Sequence, residues 1–181
     1  MGEKFENNEN EDDDEEIEEN VKKRVDELVP KHIIIDDIYA TISYFLNLCS
    51  GIGTGGTLSG IGRTLKEVNP DTIVWAAEPE NAAILSGGAI TTHIQMGIGD
   101  GLIPGILDTN VYDDICIITD EEAINTSREL TRKEGMMCGI SSGTNVACAI
   151  KLAMKLGAGK TVVTVLPDTA ERYFSTPLFE D

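Results

Sequence analysis

Gly53, Thr54, Gly55, Gly56 and Thr57, with Gly51 and Gly60 on either side, form the stretch of this 181-residue chain whose residue types and spacing most directly suggest chemistry. Glycines let successive amides turn inward with no Cβ in the way, and two threonine hydroxyls add donors. A helical pattern opening near Leu58 aims its partial positive end at the same point. Such a loop holds an anion, so a phosphorylated ligand is expected; the competing reading is a plain tight turn. No Gly-Lys-Ser or Gly-Lys-Thr follows, which excludes a Walker loop, and no acidic ribose ligand is placed to complete a dinucleotide fingerprint.

Three further motifs follow in order: Gly97-Ile98-Gly99-Asp100-Gly101-Leu102-Ile103-Pro104, then Cys138-Gly139-Ile140-Ser141-Ser142-Gly143, then Leu166-Pro167-Asp168-Thr169-Ala170-Glu171-Arg172-Tyr173 with Ser175-Thr176-Pro177-Leu178-Phe179 behind it. With the first loop they closely resemble the C-terminal half of the cysteine synthase (O-acetylserine sulfhydrylase) family of fold-type II pyridoxal-phosphate enzymes, over residues 51–181. The resemblance implies that Gly53, Thr54, Gly55, Gly56 and Thr57 cradle the phosphate of pyridoxal 5′-phosphate and that Ser141 partners its pyridine nitrogen. A neutral hydroxyl there does not force the ring nitrogen to stay protonated, which makes a mild electron sink suited to β-elimination and β-replacement. Ser142 reads as a helix N-cap.

Two residues depart from the commonest family pattern. Asp100 stands where a small residue is frequent, and Ala170 where glycine is usual, so a positive φ at Ala170 would be strained. Asp168 and Arg172 read as a structural ion pair or a turn cap. The resemblance also implies a Schiff-base lysine in a Ser-x-Lys-x-Arg segment and a Thr-Ser-Gly-Asn loop for the substrate carboxylate, and this sequence contains neither. Without the lysine there is no covalent anchor and no base for α-proton removal, so catalysis by this chain alone is not expected. The family's substrate is a small amino acid.

Residues 1–30 carry thirteen Asp or Glu against four Lys or Arg, a net of 4 − 13 = −9, half of the chain's −18. Such a run repels itself and cannot bury a core, so it reads as an acidic disordered tail. It lacks the positive charge and apolar stretch of a signal peptide. Residues 31–50 read as a helical segment, with Ile38, Ile42, Phe45, Leu46 and Cys49 at helical spacing. From about residue 13 to 54, through the stretches 15–23 and 35–46, the chain resembles a segment of the bacterial RNA polymerase β subunit that leads into a Gly-Ile-Gly-Thr stretch, which implies a fused frame at residues 51–54 but no polymerase function. A helix there would also deprive the phosphate loop of the buried strand it needs.

Beyond the loop the pattern is α/β: a partial fold-type II fold with a mostly parallel sheet and helices on both faces. Helices are expected over 57–68, from the Thr119/Glu122 capping box toward Gly135, and over 142–156 with Gly157 as the stop. Strands are expected over 72–77, within 111–118 and over 160–166. Val146, Ala147, Ile150, Ala153 and Met154 read as the core stripe of the last helix, and Trp75 and the methionines as core. One domain of this length leaves sheet edges and apolar faces uncovered, so either marginal stability or association is expected, a homodimer being one such association. Cys49, Cys116, Cys138 and Cys148 show no metal spacing and read as reduced cytoplasmic thiols; His32 and His93 are isolated. The acidity disfavours nucleic acid, and no apolar run is long enough to span a membrane. Three readings stay open: a piece of a cysteine-forming enzyme, a non-catalytic domain binding the cofactor or a partner, and a fusion without function.

Overall fold

A computed structural model describes residues 47–179. Four parallel strands, β1 (Asn47–Gly51), β2 (Ile73–Pro79), β3 (Asp114–Ile118) and β4 (Val162–Val163), form one sheet in the order β3-β2-β1-β4. Helices α1 (Gly56–Val68), α2 (Asp120–Glu134) and α3 (Ile140–Leu156) cover it, and two short 3-10 turns, Ala170–Tyr173 and Pro177–Phe179, close the described chain.

Alternation along the strands divides the interior between two faces. Leu48, Val74 and Ala76 meet Leu58, Leu65 and Val111 on one side, under α1. Cys49, Trp75, Ala77, Cys116 and Ile118 meet Ala123, Ile140, Cys148 and Leu152 on the other, under α2 and α3. The α/β reading with helices on both faces therefore holds.

β1 corrects two expectations. Residues 47–50 are a buried strand rather than the end of a helix, and the strand feeds directly into the glycine loop, which thus has its support. The remainder of the helical, polymerase-like segment and the acidic tail lie outside the described residues. β4 is shorter than the expected 160–166 strand.

α3 begins at Ile140, and of the expected stripe Ala147 is buried in the core while Ile150, Ala153 and Met154 are not. Ser141, Ser142, Thr144, Asn145, Cys148 and Leu152 are inside, whereas Ile150 and Met154 are exposed. The polar members earn burial through hydrogen bonds: Thr144 Oγ1 donates to Gln95 Oε1 (2.7 Å) and Asn145 Nδ2 to the Val165 carbonyl (2.7 Å). Trp75 is core as expected, but Met96, Met136, Met137 and Met154 are exposed. Ala170 sits in a right-handed 3-10 turn, so the anticipated strain does not arise.

Candidate functional site

The sheet places a crevice where its order reverses. Connections from β1 lead through β2 to β3 on one side, while β4 returns to the other side of β1. Loops leaving the carboxyl ends of β1 and β4 therefore diverge, which is where open parallel sheets bind ligands. Residues 52–55 leave β1 there, and residues 164–169 leave β4.

The β1 loop has the geometry of an anion cradle. Gly55 caps α1 at φ 83°, a left-handed conformation open to glycine, and no side chain bonds to the helix's free amides. The first turn of α1 carries no acidic residue. Gly53 is closed to any side chain, since a Cβ there would lie 2.4 Å from the Gly97 carbonyl oxygen. A Cβ on Gly55 would lie 2.7 Å from Leu107 Cβ. Thr54, Gly56 and Thr57 face solvent. Backbone donors, a helix positive end and free hydroxyls thus converge without a competing carboxylate in the helix's first turn, an arrangement that fits a phosphate.

Two other segments are tied to this loop. The Gly99 amide donates to the Ile52 carbonyl (3.1 Å), which holds residues 97–101 against the cradle. The Gly51 amide donates to Asn145 Oδ1 (2.6 Å), which docks α3 on the end of β1. Ser141 lies one turn before Asn145 on the same helix face, nearer the carboxyl edge of the sheet. It is 4 % exposed, and its hydroxyl bonds to no described residue. A held but unpartnered hydroxyl fits a neutral partner for a ring nitrogen.

Residues 164–169 anchor the start of α3. The Gly139 amide donates to the Asp168 carbonyl (3.2 Å), and Ser142 Oγ donates to Asp168 Oδ1 (3.4 Å). Tyr173 donates its hydroxyl to Asp168 Oδ2. Burial first, and then that bond and the Asp168 charge, push the Tyr173 hydroxyl up to about 12. Asp168 is thus an anchor for the turn before Ser141, and it makes no ion pair with Arg172. Ser142 is inside the helix; the N-cap is Gly139, without a side-chain bond.

Sequence reasoning missed Asn145 and Gln95. Gln95 is wholly buried; its Nε2 donates to the Ile118 carbonyl (3.0 Å) and to Asp120 Oδ1 (2.9 Å) while its Oε1 accepts from Thr144. It locks the segment before the 97–101 loop to α2 and α3. Asn145 follows a polar stretch and Gln95 stands between Ile94 and Met96, and neither has a spacing that marks it out.

Among the described residues no lysine reaches the cradle. Lys66, Lys133, Lys151 and Lys155 pair with Asp113, Glu129, Glu122 and Asp114. Lys66 lies in the last turn of α1, some 15 Å along the helix from Gly56 at about 1.5 Å per residue. No group of His, Cys, Asp and Glu among these residues suits a metal ion, the four cysteines are free and buried, and no helix is long and apolar enough to cross a membrane.

Comparisons with known proteins bear on the family and the fold. The family described as pyridoxal-phosphate dependent enzyme matches residues 33–168, starting ahead of Gly51. A cysteine synthase of Staphylococcus aureus is 49% identical over 139 residues, covering 77% of this chain and 44% of the relative. Among solved structures, a cysteine synthase of Entamoeba histolytica superposes with a TM-score of 0.76 at 32% identity, covering 90% of this chain and 54% of that one. An O-acetylserine dependent cystathionine beta-synthase of Helicobacter pylori gives 0.71 at 38%, covering 76% and 44%. The chain spans about half the length of the relatives it matches.

Proposed function

Because the chain belongs to the pyridoxal-phosphate dependent enzyme family, we propose that it supplies the cofactor-binding half of a cysteine-forming enzyme, one that replaces the acetoxy group of O-acetylserine with sulfide. The observation that carries this is the uncapped start of α1 behind Gly53 and Gly55, set on the same sheet edge as the unpartnered Ser141 hydroxyl. Gly53, Thr54, Gly55, Gly56 and Thr57 hold the phosphate of pyridoxal 5′-phosphate, and Ser141 meets the pyridine nitrogen. The cofactor, when bound, provides the electron sink for β-replacement. The protein residues bind and orient: the cradle fixes one end of the ring, Ser141 the other, and residues 97–101 border the space beside them.

Proton transfer at the substrate's α-carbon requires a base that the described residues do not bring to the cradle. This chain alone is accordingly expected to form no cysteine from O-acetylserine and sulfide above background. Placing the lysine-bearing N-terminal half of a cysteine synthase ahead of residue 47 should confer that activity. Cysteine formation by the unaltered chain would overturn the role given to the missing lysine. A folded hybrid that binds no pyridoxal phosphate would overturn the cradle. The setting we infer is the cytosol, which keeps four buried thiols reduced.

A further inference from the structure

β1 and β4 begin as partners and then part. Their backbones are paired at Asn47 with Val162 and at Leu48 with Val163, and the pairing stops there. Continued in the same register, the ladder would set Gly51 opposite Leu166, with its amide level with the Val165 carbonyl. Side chains take its place instead. Thr164 Oγ1 donates to the Cys49 carbonyl (2.8 Å). Beyond it the Asn145 carboxamide stands between the two chains: its Oδ1 accepts from the Gly51 amide (2.6 Å) and its Nδ2 donates to the Val165 carbonyl (2.7 Å).

A backbone amide that bonds a carbonyl directly brings two chains within about 3 Å of each other. With a carboxamide inserted, the gap widens by that group while both backbone partners stay satisfied. The inserted group must accept at one end and donate at the other, which asparagine does on a short stem. Asn145 is 3 % exposed, so losing it would leave a buried amide and a buried carbonyl without partners. A third segment closes on the same point. A Cβ on Gly51 would lie 3.1 Å from Asn145 Oδ1 and 3.1 Å from Ile98 Cγ2, so the end of β1, α3 and the 97–101 segment meet there. Ser141, with its unpartnered hydroxyl, is one helical turn away.

We propose that Asn145 is a positioning residue: by holding the end of β1 apart from the segment that leaves β4, it sets the distance between the phosphate cradle and Ser141, and so the length of ligand gripped at both ends. This role rests on the reading of the cradle and Ser141 as two ends of one cofactor site, and it adds the device that fixes their spacing. Asn145 acts through Ser141. Other polar anchors of α3 run elsewhere: Thr144 reaches Gln95, while Ser142 and the Gly139 amide reach Asp168. Among the described residues, the Asn145 carboxamide is what ties α3 to both diverging chains at once.

Two probes separate the ends of the site. Pyridoxine 5′-phosphate carries the phosphate and the ring nitrogen but no aldehyde, so it forms no imine with surface lysines. Inorganic phosphate reads the cradle alone. Both are titrated by calorimetry into the full chain at one pH and ionic strength, and the unaltered chain is expected to bind pyridoxine phosphate at least about tenfold more tightly than inorganic phosphate. Asn145→Ala should cost about five- to tenfold in pyridoxine phosphate affinity, the worth of one hydrogen bond to the ring, and leave inorganic phosphate within about twofold. Asn145→Ser, whose single hydroxyl cannot span both backbone groups, is carried beside it as the milder change and should behave alike. Ser141→Ala should cost as much as Asn145→Ala, and the double variant no more than either single, because displacing Ser141 and removing its hydroxyl forfeit the same bond. Full pyridoxine phosphate affinity in the folded Asn145 variants, an equal loss for inorganic phosphate, or losses that multiply in the double variant would each overturn the proposal. Pyridoxine phosphate bound no more tightly than inorganic phosphate by the unaltered chain would overturn the functional reading, and the spacing role with it.

Discussion

The starts of α1 and α2 are built in opposite ways. At α2, Thr119 Oγ1 accepts from the Glu122 amide (3.0 Å) while the Thr119 amide donates to Glu122 Oε2 (2.9 Å), and Asp120, Glu121 and Glu122 crowd the first turn. The helix satisfies its own amides and supplies its own negative charge, so it has nothing left for a ligand. At α1 the cap is Gly55, no side chain reaches the amides, and the first turn has no acid. One end is finished by the chain itself. The other is left open at the carboxyl edge of the sheet, and an end left open there is what a bound anion completes. α3 shares the open design, capped by Gly139 without a side-chain bond and with no acid in its first turn.

The largest effect expected from breaking this contrast is at Gly53. In Gly53→Val the new Cβ meets backbone, the Gly97 carbonyl oxygen at 2.4 Å, so the loop and the 97–101 segment must separate. Calorimetric titration should show pyridoxal phosphate affinity falling beyond detection, with a stability loss of roughly 1–3 kcal/mol in urea melts. Unchanged affinity would make the loop an ordinary turn.

The closed end should respond in stability alone. Thr119→Ala removes the side-chain half of the capping box, the bond from the Glu122 amide to Thr119 Oγ1, while the Thr119 amide keeps its bond to Glu122, and is expected to lower the unfolding free energy by about 1 kcal/mol. Pyridoxal phosphate affinity should stay at its original value. Loss of that affinity in Thr119→Ala would show the two helix ends to be coupled and would end the comparison.

A smaller change sharpens it further. Gly56 differs from its neighbours in having room: a Cβ there meets only Thr54 Oγ1, at 3.7 Å. Gly56→Ala should therefore keep phosphate affinity within about threefold, while an Ala in place of a helical Gly adds at most about 1 kcal/mol of stability. An affinity loss as large as that of Gly53→Val would place the phosphate against Gly56 itself rather than over the amides.

How much of this was legible in the sequence depends on the range of the forces involved. The Thr119/Glu122 box and the glycine stops at Gly135 and Gly157 were readable because each is decided within four residues. The α/β alternation was readable for the same reason. β1 was not: Asn47 and Ser50 interrupt its apolar character, and Asn47 is acceptable in a buried strand only because its Nδ2 donates to the Thr161 carbonyl (3.0 Å), far along the chain. Upstream apolar spacing then favoured a helix. α3 failed similarly, since hydropathy turns Ile150 and Met154 inward, whereas partners on β1, on the segment that leaves β4 and on the Gln95 segment make it worthwhile to bury Thr144 and Asn145. The glycine loop could be read from sequence because it needs only backbone. Its company, Asn145 and Gln95, could not.

The last test concerns the anchor that holds the open end of α3. Tyr173 packs beneath Gly139, where a Cβ would lie 2.5 Å from the Tyr173 ring, and its hydroxyl donates to Asp168, which also receives Ser142. The Tyr173 hydroxyl is held up to about 12, from an ordinary 10.0, by burial and by the neighbouring carboxylate. A group whose proton is bound more tightly in the folded state stabilises that state fully while both states are protonated, below about pH 10. That contribution is lost as pH rises through 10 to 12, because the unfolded chain sheds the proton first. Other tyrosines and the lysines titrate in the same range, so the measure is the difference between the unaltered chain and Tyr173→Phe in urea melts at successive pH values. The difference in stability should be constant between pH 7 and 9 and shrink between pH 10 and 12. A difference that stays flat to pH 12 would mean that the Tyr173–Asp168 bond contributes nothing to holding the turn before Ser141. Loss of the difference already below pH 9 would mean that a group other than the Tyr173 hydroxyl titrates there and fixes this end of the helix.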